Sequence, residues 1–202
     1  MASEKRAPMD SAAGDKFFLA PLTRPFLARV AELEKASYPA DEAASPEKLE
    51  YRLKNAGDFF CGLFRGNAQD QDQSPDALVG FICSTLALGE LTEESMSQHN
   101  PTGTTLCIHS VVIDERYRRR KLSTGMLVRY VEHVQKLLAK SLTVEKTALI
   151  CKENLIPLYS GVGFQLEGPS KVCHGKDPWF DMSLVNASWS APIVIDVGNV
   201  VS

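Results

Sequence analysis

The chain lacks the long apolar runs by which membrane and secreted proteins can be recognised. No stretch approaches the roughly 18 consecutive apolar residues of a membrane span. The polar residues that follow Met1 contain no apolar segment of the kind found in a signal peptide. We therefore expect a cytoplasmic protein with no membrane partner.

Paired cysteines and the common nucleotide-binding motifs are also absent. The five cysteines are odd in number and form no CxxC pair, so a disulfide framework and a zinc site are both disfavoured, and we expect no metal. Neither GxxxxGK followed by Ser or Thr nor GxGxxG occurs, which excludes the Walker and dinucleotide fingerprints. The net charge of −3 argues against nucleic acid as a partner.

The composition is that of one ordinary globular domain. A chain of 202 residues, 44% of them apolar, can bury a full hydrophobic core. Residues 1–14 are small and polar and predict a disordered tail. We assign residues 15–185 to the domain and 186–202 to a C-terminal tail, and we interpret the polar segment 66–75 as a hairpin loop.

The apolar periodicity predicts an alternation of strands and helices. Strands are expected at 17–20, 59–64, 78–86, 105–113, 147–151, 164–167 and 179–185. Helices are expected at 24–36, 92–99, 123–140 and 154–161, and another begins at Ser45-Pro46 with an apolar stripe of Leu49, Tyr51 and Leu53. The alternation in the second half predicts a parallel strand pair joined by a crossover helix.

A basic turn joins the strand 105–113 to the long helix. Unpaired N–H groups at a helix N-terminus bind phosphate with the help of the helix dipole, and basic side chains add positive charge. Taken alone, the turn is a weak signal, because a basic turn before a helix is more often a solvated loop. The candidate phosphate-binding residues are Arg118, Arg119, Arg120, Lys121, Leu122, Ser123 and Thr124.

Several separate motifs, in the right order, resemble the GNAT superfamily and, within it, the arylalkylamine (serotonin) N-acetyltransferases. They occupy residues 32–38, 91–103, 108–113, 117–118, 148–164 and 168–170, and the resemblance covers about residues 17–185. It implies an α/β (α+β) GNAT fold, with a central mixed, mostly antiparallel β-sheet flanked by helices. In that fold a splayed parallel strand pair admits acetyl-CoA, the co-substrate.

The same resemblance assigns residues to the cofactor. Val111, Val112 and Ile113 would pair through their backbone with the pantetheine amides, as an added strand would. The segment 118–124 would hold the pyrophosphate. Lys121 and Ser123 stand where the family has glycine, so we expect cofactor binding to depend more on side-chain charge here.

The resemblance also assigns catalytic roles. Amine attack on a thioester needs a base for an ammonium of pKa ~10, which we expect to be His109 acting through a water. Tyr159 would protonate the leaving thiolate, and a backbone N–H near Val111 would polarise the carbonyl. The family's second histidine, two residues before His109, is here Cys107.

The predicted acceptor is a small arylalkylamine. The resemblance places Tyr38, Pro46, Ile108 and Ile150 in an aromatic or apolar amine pocket, although such residues are equally ordinary in a core. Three alternatives stay open: a polyamine or other small-amine acetyltransferase, a CoA-binding module without turnover, and an acyl-enzyme formed on Cys107. The sequence does not indicate the oligomeric state.

Overall fold

The computed structural model describes residues 15–66, 74–138, 144–172, 175–185 and 200–201. Within these ranges eight strands form one sheet: β1 (Phe17–Pro21), β2 (Phe60–Arg65), β3 (Leu78–Ala87), β4 (Thr105–Ile113), β5 (Lys146–Cys151), β6 (Gln165–Pro169), β7 (Phe180–Val185) and β8 (Val200–Val201). The helices are α1 (Leu27–Ser37), α2 (Pro46–Asn55), α3 (Glu93–Ser97), α4 (Leu122–Leu138) and α5 (Ile156–Ser160).

The sheet is mixed, and its strands lie in the order β6-β7-β5-β4-β3-β2-β1-β8. Its central pair, β4 and β5, is parallel and is joined through α4, as predicted. These two strands pair only from Thr105 to Ile108, opposite Lys146 to Leu149. Because β4 continues to Ile113 without a partner on that side, the two strands separate, which confirms the predicted splayed pair.

Helices cover both faces of the sheet. On one face α4 buries Met126, Leu127 and Tyr130, and the Tyr130 hydroxyl is hydrogen-bonded to the Phe59 carbonyl (2.9 Å) and to Ser84 Oγ (2.6 Å). On the other face α1 and α2 close a second apolar cluster. Its members include Phe18, Phe26, Val30, Leu33, Leu49, Phe60 and Phe64. Apolar side chains thus pack helices against both faces of the sheet. The end of the sheet where β4 and β5 separate stays open.

Helix α2 begins as predicted but presents a different face. Ser45 Oγ accepts a hydrogen bond from the Lys48 N–H at 3.3 Å, and Pro46 occupies the first turn. The predicted stripe is wrong in one residue, because Leu49 is fully buried whereas Tyr51 is 39% exposed. Tyr51 points away from the core because α2 also forms a wall of the cavity described below.

Some sequence predictions fall on residues outside the described ranges. These include the tail 1–14, positions 67–73 of the predicted loop, and 186–199 of the C-terminal tail. Near the end of that tail, Val200–Val201 pairs in parallel with β1. In the part of the chain that the structure describes, no helix combines the length and apolarity needed to cross a bilayer.

Candidate active site

A cavity of about 610 Å³ opens between β4 and β5 where they separate. Its walls come from α1, the loop after α1, α2, α3, the two strands and α5. Most of the predicted catalytic and acceptor residues meet in it. The predicted residues that line it are Tyr38, Ile108, His109, Val111, Ile150 and Tyr159.

His109 sits at an irregularity in β4. Cys83 of β3 pairs with Ser110 while Ser84 pairs with Ile108, so His109 is the extra residue of a β-bulge. Its Nε2 shares a hydrogen bond of 2.7 Å with Thr85 Oγ1, and its buried Nδ1 has no hydrogen-bond partner in the described structure. The bulge therefore turns the imidazole towards the cavity while Thr85 holds one of its nitrogens.

The surroundings of His109 keep it neutral. Burial lowers the pKa of the imidazole well below its usual 6.5, and the nearby charge of Arg52 lowers it further. A neutral imidazole can accept a proton at physiological pH, although a lower pKa makes it a weaker base. His109 is thus in the protonation state that a general base requires.

Tyr159 is buried in α5, with its ring edge-on to Phe164 at 6.0 Å between centroids. Burial raises the pKa of its phenol well above 10, and the neighbouring Tyr38 and Cys151 raise it further. The hydroxyl consequently keeps its proton across the physiological range. It lies on the cavity wall as a hydrogen-bond donor and a potential proton source.

Tyr38 contacts the Val111 N–H, the backbone group that is predicted to polarise the thioester carbonyl. Its hydroxyl accepts a hydrogen bond from the N–H of Val111 at 3.4 Å. Burial raises the pKa of Tyr38 above its usual value, with a further contribution from the charge of Glu34. The residue therefore stays a neutral phenol, and it reaches β4 rather than only lining an acceptor pocket.

The other two residues of the predicted pantetheine strand are available only through their backbone. The side chains of Val112 and Ile113 are buried in the clusters on opposite faces of the sheet. The carbonyl of Ile113 already accepts a hydrogen bond of 3.0 Å from Arg118 Nε. Any ligand that pairs with this carbonyl must share it with the Arg118 guanidinium.

The turn before α4 has the backbone shape of an anion site. Arg119 and Lys121 both adopt the left-handed conformation, with φ of 63° and 58°. Left-handed residues in such a turn make successive N–H groups converge, and the unpaired N–H groups of the first turn of α4 lie directly beyond. Lys121 thus keeps the conformation that glycine adopts easily, at a cost of about 1 kcal/mol.

The side chains of this turn divide into two groups. Arg118 also donates to Ser37 Oγ at 3.0 Å, and Arg120 forms an ion pair with Asp15 at 3.2 Å. Arg119 and Lys121 are exposed, and neither forms an ion pair within the described ranges. The remaining predicted positions begin the helix: Leu122 is buried, and Ser123 and Thr124 are half-buried.

Two predicted candidates stand apart from the cavity. The ring of Pro46 is exposed at the start of α2 and does not line the cavity. Cys107 is fully buried, does not line the cavity either, and burial raises the pKa of its thiol to about 12. A thiol with so high a pKa is a poor nucleophile at neutral pH, which argues against the acyl-enzyme alternative.

Charged residues that sequence reasoning passed over also line the cavity. Glu34 Oε1 accepts hydrogen bonds from the Ala44 N–H (2.9 Å) and from Ser110 Oγ (3.2 Å), which ties α1 to the following loop and to β4. Lys152 Nζ lies 2.7 Å from both Glu42 and Asp177. In the sequence Glu34, Glu42 and Lys152 look like ordinary surface charges. Only their burial in the structure distinguishes them.

Arg52 is a further residue of this kind. It lies on α2 one turn after Lys48, and both residues line the cavity together with Tyr51. The spacing of Lys48 and Arg52 is typical of a solvated helix face. That pattern gives no signal that Arg52 is half-buried and close enough to His109 to lower the pKa of the imidazole.

Solved structures share the architecture of this chain. The GNAT-like decarboxylase GphF, in complex with isobutyryl-CoA, superposes with a TM-score of 0.68 over 83% of this chain and 98% of that one, at 13% identity. This chain has the GNAT fold. A chimera of the spermidine N-acetyltransferase SpeG from Vibrio cholerae gives a TM-score of 0.58 over 85% of this chain and 96% of that one, at 16% identity.

Sequence relatives point to a narrower group within the GNAT fold. The serotonin N-acetyltransferase of Mesocricetus auratus is 34% identical over 99 residues, which are 48% of this chain and 46% of the relative. The chain thus spans about half the length of the curated relatives it matches. No family model matches it. The GNAT neighbours include a decarboxylase as well as an acetyltransferase, so the fold by itself does not decide the reaction.

Proposed function

We propose that this GNAT-fold chain is an acetyl-CoA-dependent N-acetyltransferase that acts on the primary amine of a small arylalkylamine. The observation that carries the proposal is the meeting of His109 and Tyr159 in one cavity at the strand splay. A neutral imidazole and a protonated phenol are the base and the acid that amide formation from a thioester requires. The serotonin N-acetyltransferase relatives support the same activity.

Acetyl-CoA fits the backbone features at the end of β4. The edge of β4 beyond Ile108 has no strand partner and can pair with the pantetheine amides. The left-handed turn at Arg119 and Lys121 then offers converging N–H groups and two exposed cations to the pyrophosphate. The buried side chain of Leu122 restricts that residue to a backbone role.

The reaction follows from the states of the side chains. His109 takes a proton from the ammonium, through a water, because the imidazole is neutral at pH 7. The amine then attacks the thioester carbonyl directly in a ternary complex and forms a tetrahedral intermediate, which collapses as the C–S bond breaks. Tyr159 gives its proton to the leaving sulfur, and its phenolate takes up the proton that the nitrogen loses as the amide forms. The Val111 N–H stabilises the oxyanion once it exchanges the Tyr38 hydroxyl for the substrate oxygen.

Release of free CoA thiol from acetyl-CoA over a panel of amines tests this function. We expect turnover with tryptamine and phenylethylamine and slower turnover with spermidine. Faster turnover with spermidine would favour the polyamine alternative. No turnover with any amine, together with a thermal shift on adding acetyl-CoA, would identify a binding module instead. The cytoplasmic location stays a prediction of the sequence.

A further inference from the structure

Arg52 is a half-buried cationic residue in the cavity wall, and no described carboxylate forms an ion pair with it. Arg52 Nη1 donates to Cys83 Sγ at 3.9 Å, which is a weak interaction. The Arg52 guanidinium therefore keeps unused N–H donors at the place where an acceptor molecule would bind.

The other charged residues of the wall that are buried or half-buried have polar contacts of their own. Lys152 lies between Glu42 and Asp177, and the Glu34 carboxylate accepts hydrogen bonds from Ala44 and Ser110. A guanidinium without a carboxylate partner in a cavity wall binds an anion or acceptor oxygens well. Arg52 is therefore placed to bind such a group of a molecule in the cavity.

The position of Arg52 restricts where that group lies in the acceptor. Arg52 is close enough to His109 to lower its pKa, and Nδ1 of His109 is buried without a hydrogen-bond partner in the described structure. The reactive amine has to approach His109. Arg52 Nη1 contacts Cys83, whose strand partner Ser110 directly follows His109 in β4, so Arg52 and His109 lie in the same part of the cavity. An anionic group bound by Arg52 therefore lies on or near the amine-bearing carbon of an acceptor whose amine approaches His109.

We infer that Arg52 binds a carboxylate of the acceptor, so that the preferred substrates are aromatic α-amino acids rather than the corresponding decarboxylated amines. The inference rests on the proposed function and narrows its substrate class. A planar guanidinium matches a carboxylate with two parallel hydrogen bonds. The apolar part of the wall, which includes Ile108, Leu149 and Ile150, suits the aromatic ring.

Two substrate pairs test the inference, because tryptophan and tryptamine, like phenylalanine and phenylethylamine, differ only in the carboxylate. We expect kcat/KM of the wild-type chain to favour the amino acid of each pair by about tenfold or more, as for hydrogen bonds to charged groups. Arg52→Gln should remove that preference by lowering kcat/KM for the amino acid, and Arg52→Lys should retain part of it.

Lys54→Gln is the matched control, because it removes one positive charge from the exposed outer face of the same helix. It should keep the wild-type preference. A wild-type preference for tryptamine, or an equal effect of Arg52→Gln on both members of a pair, would overturn the inference and leave the proposed function standing. An increase in KM for acetyl-CoA with either acceptor would instead assign Arg52 to the cofactor and would also overturn it.

Calorimetric titration decides the inference even if no amine is turned over, an outcome that would reject the proposed function. Tryptophan is titrated into the CoA-saturated wild-type chain and into Arg52→Gln, after thermal unfolding has shown that both are folded. Binding by the wild-type chain that weakens at least about tenfold in the variant supports the carboxylate site. Absent or Arg52-independent binding refutes it.

Discussion

The hydroxyl of Tyr38 accepts a hydrogen bond from the backbone N–H of Val111 at 3.4 Å. These residues are 73 positions apart, and their contact joins the end of α1 to the free edge of β4. The same N–H is the one proposed to stabilise the oxyanion. Tyr38 therefore competes with the substrate carbonyl for a single donor, which gives the Tyr38 hydroxyl a direct influence on cofactor binding.

Replacing Tyr38 by Phe should increase the affinity for acetyl-CoA by up to about fivefold, because the Val111 N–H loses an intramolecular acceptor worth about 1 kcal/mol or less. Calorimetric titration of acetyl-CoA measures the change. Tyr51→Phe removes another hydroxyl from the cavity wall, one that accepts from His99 N rather than from β4, and serves as the control. Weaker binding by the Tyr38 variant would contradict this prediction.

Replacing Tyr159 by Phe should lower kcat by about 100-fold, because the leaving thiolate loses its proton donor. The dissociation constant of acetyl-CoA should change little, since the ring and its packing against Phe164 are kept. Steady-state kinetics and calorimetry separate the two effects. If turnover is unchanged, Tyr159 is not the acid.

The pH dependence of kcat/KM should reflect the lowered pKa of His109. The base must be neutral, and burial together with Arg52 shifts its protonation below pH 6.5. Activity should therefore persist as the pH falls through 6.5 and should decline only at lower pH. In Arg52→Gln the decline should begin at a higher pH, because a positive charge that disfavours the imidazolium has been removed. Identical profiles would contradict the predicted influence of the Arg52 charge on the titrating base.

Replacing Lys121 by Gly should separate backbone shape from charge. Glycine adopts the left-handed conformation of position 121 without strain, so stability should not fall and should rise by about 1 kcal/mol at most. Affinity for acetyl-CoA and its dependence on salt should both decrease, because one exposed cation is lost.

Lys121→Gln is the matched variant, since it removes the charge and keeps the strained backbone. Both variants should weaken acetyl-CoA binding similarly if charge is what Lys121 supplies. Unchanged affinity and salt dependence in Lys121→Gly would refute a binding role for the lysine charge. Urea unfolding and titrations at two ionic strengths provide the measurements.

The sequence by itself determined the order of the helices and strands between residues 17 and 185, but it did not predict β8. Apolar periodicity placed β4 at its observed bounds and located α4 within a residue or two, because these segments are long and strongly patterned. The alternation of strands and helices predicted the parallel pair, and the family motifs predicted where it splays. The roles of His109, Tyr159 and the segment 118–124 remain predictions.

Only the tertiary structure decided which side chains meet. The bulge at His109, its bond to Thr85, the Tyr38–Val111 contact and the placement of Arg52 in the cavity wall each join segments far apart in the chain. Local pattern reports which face of an element is apolar, but it does not report which other element covers that face. For this reason the sequence pattern does not reveal Arg52 as a cavity residue, whereas Pro46, which the family resemblance assigns to the pocket, lies outside the cavity on the same short helix.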